Sequence, residues 1–159
     1  MIVYMKSIRK GYYICKNVIK PQKTDGELYR PTKKDIKIIS NYWYYAHIEM
    51  EGVNPITKEI STENVERLMS SNKIYCWKNK NNVIVSIGYY KIVENKAELC
   101  GIYTHPEYRR KNYASNLVYS ITRELIEKKF IPFLYTNYDY EPSNKTYINV
   151  GYELKKVIE

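Results

Sequence analysis

Acidic residues are scarce: 17 stand against 26 lysines and arginines in 159 residues, a net charge of +9. That balance favours anionic partners, among them phosphorylated small molecules, nucleic acid and acidic protein surfaces. Cysteine is almost missing. Cys15, Cys76 and Cys100 are an odd number at wide spacing, with no CxxC and no Cys/His cluster. This gives no disulfide framework and no metal site, and reads as buried free thiols in a reducing compartment. No apolar run approaches the ~20 residues that span a bilayer, so no membrane partner is expected. The opening MIVYMKSIRKGYYICK is broken by charges and lacks a signal-peptide core, so a cytoplasmic protein is expected. There is no GxSxG, no P-loop and no nucleophile–base pair, which removes acyl-enzyme chemistry from consideration. No aromatic RNP-type motif or helix-turn-helix signal is present either, so a nucleic-acid-binding domain rests on the charge alone. Phenylalanine occurs twice against nineteen tyrosines. With lysine, asparagine and isoleucine also abundant, this reads as coding bias rather than function.

What is present is organised around Ala97–Leu125, AELCGIYTHPEYRRKNYASNLVYSITREL. Ala97–Tyr103 is a largely apolar run between the turn signals Glu94-Asn95-Lys96 and His105-Pro106, and predicts a buried strand. Ala114, Leu117, Val118, Ile121 and Leu125 fall at offsets 0, 3, 4, 7 and 11, one face of a helix. Between them sit Arg109, Arg110 and Lys111, with two of the six arginines side by side. A strand feeding a basic loop that opens a helix can bind phosphate through free N–H groups and the helix dipole.

The rest of the chain predicts Tyr12–Val18 as a first strand, then a polar loop Lys20–Arg30. A helix capped at Thr32, with Asp35 at its third position, runs to near Gly52, and a second spans about Thr62–Ser70. A hairpin of Ile74–Lys78 and Val83–Val93 leads into the central strand. Phe130–Thr136 is a further strand, Ser143–Val150 a helix closed by Gly151, and Tyr152–Ile158 the last strand. The order β-α-α-β-β-β-α-β-α-β predicts one α/β domain over residues 1–159. Its sheet is mixed and mostly antiparallel, with helices on both faces. Residues 1–7, or a second subunit in a homodimer, are expected to cover the edge left by the last strand.

The stretch from Thr104 to Ala114, THPEYRRKNYA, resembles the acyl-CoA-binding loop of the GNAT superfamily of N-acetyltransferases. Their pattern is Arg or Gln, two residues, Gly, one residue, then Gly or Ala; Arg109 and Ala114 fit, and Asn112 stands at the Gly. The resemblance extends to Tyr75-Cys76-Trp77 and to the distal SNKTYINVGY of residues 143–152, covering about half the chain. It implies the GNAT fold, with one more strand at the end than is predicted here. It implies acetyl-CoA as co-substrate and no metal. The pantetheine arm would run along Ile102, Tyr103 and Thr104, and the pyrophosphate would lie among Arg109, Arg110, Lys111, Asn112, Tyr113 and Ala114. Asn144 would hydrogen-bond the cofactor and Tyr147 would protonate the departing thiolate. Glu98, six residues before Thr104, stands where histone-acetylating relatives place a glutamate base; its other reading is an exposed strand end paired with a lysine.

Secondary candidates are His105, read as a turn residue, His47, read as a surface histidine, and Asn137 and Asp139, which would line the acceptor pocket. The expected activity is direct acetyl transfer to a primary amine. A GNAT-fold sensor that binds acyl-CoA without transfer is the alternative. Asn41–Ser61 and Asn137–Pro142 carry no motif that names the acceptor. Asn112 is expected in a left-handed conformation, which asparagine tolerates better than most residues.

Overall fold

A computed structural model of the chain describes residues 8–50 and 54–159. Its strands are β1 (Lys10–Cys15), β2 (Glu27–Tyr29), β3 (Ile74–Lys78), β4 (Ile84–Val93), β5 (Lys96–Thr104), β6 (Ile131–Asn137) and β7 (Tyr152–Ile158). The helices are α1 (Ile36–Glu49), α2 (Lys58–Ser70), α3 (Tyr113–Glu127) and α4 (Glu141–Val150). All seven strands form one sheet in the order β2-β3-β4-β5-β6-β1-β7. Every pairing is antiparallel except β5 with β6.

Side-chain alternation divides the core into two layers. On one face α3 buries Tyr113, Leu117, Val118, Ile121 and Leu125 against Val85, Leu99, Leu134 and Tyr152. On the other, α1 and α2 bury Ile39, Trp43, Ala46 and Val65 against Ile74, Ile87 and Tyr103. The α3 positions are those of the predicted periodicity, less Ala114, which is half-buried.

Helix starts follow local capping chemistry. The Asp35 carboxylate accepts from Thr32 N–H at 2.8 Å, as a capping box requires, and a short 3-10 turn over Lys33–Asp35 precedes α1. Helix α2 begins at Lys58, four residues before the predicted start, because the Thr57 hydroxyl caps Ile60 N–H at 3.1 Å. The predicted end of α1 near Gly52 falls beyond its last residue, Glu49; residues 51–53 lie outside the described part.

Two features correct the sequence expectation. Glu27–Tyr29, inside the predicted polar loop, pairs with β3 as an extra edge strand. Strand β1, predicted over Tyr12–Val18, spans Lys10–Cys15 and is internal to the sheet. It lies between β6 and β7, antiparallel to both, with Tyr12 opposite Tyr135 on one side and Lys156 on the other. The N-terminal strand therefore pairs with the inner edge of β7. Residues 1–7, expected to cover an open edge, are outside the described part. At the outer edge, β7 exposes Glu153, Lys155 and Lys156, and charges of this kind discourage further strand pairing. Among the described residues no helix is long and apolar enough to cross a membrane.

Candidate functional site

The site begins where two parallel strands part. Strands β5 and β6 pair only through Lys96–Ile131, Ala97–Pro132 and Glu98–Phe133. From Leu99 to Thr104, β5 has no strand partner on its β6 side, leaving a strip about 20 Å long at ~3.3 Å per residue. Unpaired strand backbone offers N–H and C=O groups to an extended ligand.

Midway along this strip the β4–β5 register slips between Ile87 and Tyr89. Gly101 there has φ +62°. A Cβ on it would lie 2.5 Å from Trp43 Cζ3 and 2.8 Å from Tyr89 Cε1, so the backbone and its surroundings both demand glycine. The sequence did carry this signal, since a lone glycine inside a strand pattern marks a bulge. Side chains beyond the bulge turn inward. Ile102 packs toward α3, Tyr103 is buried 5.7 Å from the Tyr42 ring, and the Thr104 hydroxyl meets Ser86 Oγ at 2.7 Å. Along Ile102–Thr104 the backbone groups that do not face β4 therefore line the gap, except the Thr104 carbonyl, which accepts from Arg109 Nε.

At the far end of the strip lies the loop that opens α3. Asn112 has φ +64°, the left-handed conformation expected of it, and Arg110 adopts φ +66° as well. Alternating backbone of this kind turns successive amides toward one side. No N–H group from Arg110 to Ser115 has an acceptor among the described residues, and the Asn112 side chain does not cap the helix. Arg110, Lys111 and Asn112 are exposed beside these amides, and Ala114 leaves the first turn uncrowded. Free amides, the helix dipole and two cations form a cradle for an anion.

The side chains of two neighbours assigned to this cradle by the sequence are committed elsewhere. Arg109 Nε donates to Thr104 O at 2.8 Å, and its terminal nitrogens meet the Glu49 carboxylate at 2.6 and 2.8 Å. The fork ties the end of α1 to the end of β5 above the Tyr103 ring, at 5.5 Å. Tyr113 is buried, and its hydroxyl donates to the Asp25 carboxylate at 2.9 Å. Burial, with that carboxylate beside it, pushes the phenol up to about 12. Asp25 also accepts from Lys80 N–H at 2.7 Å, and its carbonyl accepts from Trp77 Nε1 at 2.9 Å. The same segment reaches the loop twice more, through Thr24 Oγ1 to Lys111 O at 2.6 Å and Asn116 Nδ2 to Gln22 O at 2.9 Å. Residues 22–25 therefore brace the cradle from behind, a role the sequence reading missed.

The distal motif divides in the same way. Asn144 is buried, with its amide donating to the carbonyls of Asn137, Tyr138 and Tyr140 at 2.8–3.0 Å and its oxygen accepting from the Tyr13 hydroxyl. It clamps the β6–α4 loop onto β1 through these internal contacts, at a residue expected to hydrogen-bond the cofactor. Tyr147 is half-buried, edge-on to Tyr152 at 6.1 Å, and its hydroxyl has no hydrogen-bond partner among the described residues. Burial raises its pKa, with a smaller contribution from the Cys100 thiol beside the bulge. The phenol is protonated at neutral pH and available as a donor.

Glu98 is not at an exposed strand end. It is the third residue of β5, at the point where β5 and β6 part, with its side chain one-fifth exposed and 3.6 Å from the Lys91 ammonium. Of the secondary candidates, His105 Nδ1 accepts from Glu107 N–H at 3.2 Å, a turn role. His47 Nδ1 lies 3.0 Å from Trp43 O, with the two rings 4.8 Å apart. Asn137 accepts from Asp139 N–H at 3.0 Å, and Asp139 pairs with Arg9 at the start of β1. These contacts hold the β6–α4 loop together, where an acceptor-lining role had been expected.

Residues 39–152 match the family model described as acetyltransferase (GNAT) family. A search of curated proteins found no match. Among solved structures, the chain is similar to an acetyltransferase of the GNAT family from Colwellia psychrerythraea, at a TM-score of 0.77 and 10% identity over 96% of this chain and 54% of that one. It is similar to a GCN5-related N-acetyltransferase from Sphaerobacter thermophilus, at 0.73 and 13% over 96% and 50%. A third is aminoglycoside N-acetyltransferase AAC(6')-Iy in complex with CoA, at 0.68 and 14% over 89% and 97%. The chain spans about half the length of the first two. At these identities the likeness is one of fold.

Proposed function

The chain belongs to the acetyltransferase (GNAT) family, and from that premise we propose that it transfers an acetyl group from acetyl-CoA directly to a primary amine. The observation that carries this reading is the run of unpaired amides from Arg110 to Ser115, opening onto the unpaired backbone of β5. It offers a polyanion and an extended amide-bearing arm what each needs, at adjoining places. The CoA pyrophosphate lies on the amides with Arg110 and Lys111 beside it, and the pantetheine arm follows Thr104, Tyr103 and Ile102 toward the Gly101 bulge. Acetyl-CoA supplies the activated thioester carbonyl.

The amine must attack as the free base, because an ammonium has no lone pair. Glu98, at the closed end of the gap, takes the proton directly or through water. The new C–N bond forms as the C–S bond breaks. Tyr147 gives its proton to the departing sulfur, so the products are an acetamide and CoA thiol. No acyl-enzyme intervenes.

Two outcomes test this assignment. Asn112→Gly is expected to leave acetyl-CoA binding unchanged or slightly tighter. Asn112→Val is expected to weaken it roughly tenfold or more, since the left-handed conformation costs a non-glycine residue ~1–2 kcal/mol and a β-branched one most. Calorimetric titration with acetyl-CoA reads both, and equal affinity in the two variants would remove the cradle. Glu98→Gln is expected to slow the reaction at neutral pH and to shift the rise in rate toward higher pH, where the amine loses its proton unaided. An unchanged pH–rate profile would leave Glu98 as the partner of Lys91 and nothing more.

A further inference from the structure

The gap closes beside a row of aromatic rings that the transfer chemistry does not use. Phe133 is the cross-strand neighbour of Glu98, Tyr135 lies two residues further along β6, and Tyr12 faces Tyr135 from β1. Alternation puts all three rings on the same face of the sheet as the Glu98 side chain. Ring centroids are 5.9 Å apart for Tyr12 and Phe133, 5.1 Å for Tyr12 and Tyr135, and 6.0 Å for Phe133 and Tyr135. Helices α3 and α4 take the opposite face of these strands, where Tyr13, Leu134 and Tyr152 are buried. Tyr135 keeps 43% of its surface open, so the row is a shelf rather than a filled core.

We propose that this shelf binds the acceptor, and that the acceptor is an arylalkylamine: one amine on a short chain, ending in a flat aromatic body. The inference rests on the acetyl-transfer reading and adds the acceptor's class to it. Among the shelf's described neighbours the charges are arranged for one positive group at one end only. Glu98 holds the near end, where the amine must be deprotonated. The Lys156 ammonium stands 5.7 Å from the Tyr12 ring centroid at the far end, and Lys91 flanks Glu98. A polyamine laid along this line would bring its second ammonium toward the like charge of Lys156, which repels it. A neutral ring instead stacks on Tyr135 in an offset or edge-on arrangement. The spacing agrees: one strand across and two residues along place Tyr135 about 8 Å from Glu98, measured between backbone positions. That is the reach of an amine carried two or three carbons from a ring. The Lys91–Glu98 pair, exposed on the lysine side, is weak enough to yield to an incoming ammonium.

The test measures CoA thiol release and acetamide formation with phenethylamine, hexylamine and spermidine at equal acetyl-CoA. Phenethylamine is expected to show a kcat/KM about tenfold or more above spermidine. Tyr135→Ala should raise the KM for phenethylamine roughly five- to tenfold while leaving that for acetyl-CoA unchanged, and Tyr135→Phe should retain the wild-type value. Tyr135 is exposed, so these substitutions are expected to fold. Acetylation of spermidine or hexylamine in preference, or no effect of Tyr135→Ala, would overturn the shelf while leaving acetyl transfer in place. Absence of acetamide from every amine would overturn the transfer reading itself, and the shelf with it.

Discussion

Replacing Tyr147 with phenylalanine is expected to lower kcat by ~10²–10⁴-fold with little change in the affinity for acetyl-CoA. The ring that packs against Tyr152 is retained, so the packing of α4 against β7 keeps its shape. What disappears is the hydroxyl, which has no hydrogen-bond partner among the described residues and is held protonated by burial. Its loss therefore leaves no orphaned partner among them, and stability should change little. A structural tyrosine would give the opposite pattern, a lowered Tm with turnover intact. Because the pKa is raised, the phenol stays protonated through the alkaline range in which amines become reactive. Tyr147 should therefore not contribute an alkaline limb to the wild-type profile, and any pH dependence there belongs to the amine and its base.

The second large effect is expected at Gly101. Gly101→Ala places a methyl group 2.5 Å from Trp43 Cζ3 and within 3.0 Å of two Tyr89 ring atoms, at a φ of +62°. The left-handed backbone costs an alanine ~1–2 kcal/mol, and overpacking against rings that cannot retreat adds ~1–3 kcal/mol. Together these predict a fall in Tm of roughly 5–15 °C. On the acetyl-transfer reading proposed above, activity should fall further than stability explains, since the bulge would set where the thioester meets the amine. Gly88→Ala is the informative comparison. A Cβ there meets the Ile102 Cδ1 tip at 2.4 Å, with other atoms no closer than 3.6 Å. One rotamer change relieves that contact, so the loss should be smaller. Equal effects at the two glycines would show that the bulge has no special role.

The elements with strong local signals were legible in the sequence. The offsets of Leu117, Val118, Ile121 and Leu125 specify the α3 face without reference to any other part of the chain. Asn112, at the position where the resembling loop has glycine, and Gly151, closing a helix, mark their left-handed conformations, at φ +64° and +108°. What could not be read depends on distant partners. Glu27–Tyr29 is three residues in a polar loop and becomes a strand only because β3 offers it an edge. The place of β1 between β6 and β7 is fixed by pairings more than a hundred residues away in the chain.

The same reason explains why some site candidates have their side chains engaged elsewhere. Arg109 meets Glu49 across 60 positions, Tyr113 meets Asp25 across 88, and Asn144 meets Tyr13 across 131. A motif records which residues stand near the ligand's path but not which of them the fold has already occupied. The backbone features of the site were better marked than its side chains. Amides at a helix start and a glycine in a strand have local causes, whereas an arginine's direction is settled by whichever carboxylate the fold brings close.

The central claim is that the gap between β5 and β6 carries out transfer rather than binding alone. Its most direct test is a single-turnover reaction of the protein with acetyl-CoA labelled in the acetyl group, mixed with a primary amine and quenched over time. CoA thiol and N-acetylated amine are then measured in the same samples. The account predicts that one thiol appears for each acetamide, that both require the protein and the amine together, and that no acetylated protein accumulates. Stoichiometric binding of acetyl-CoA with no acetamide from any amine would contradict it.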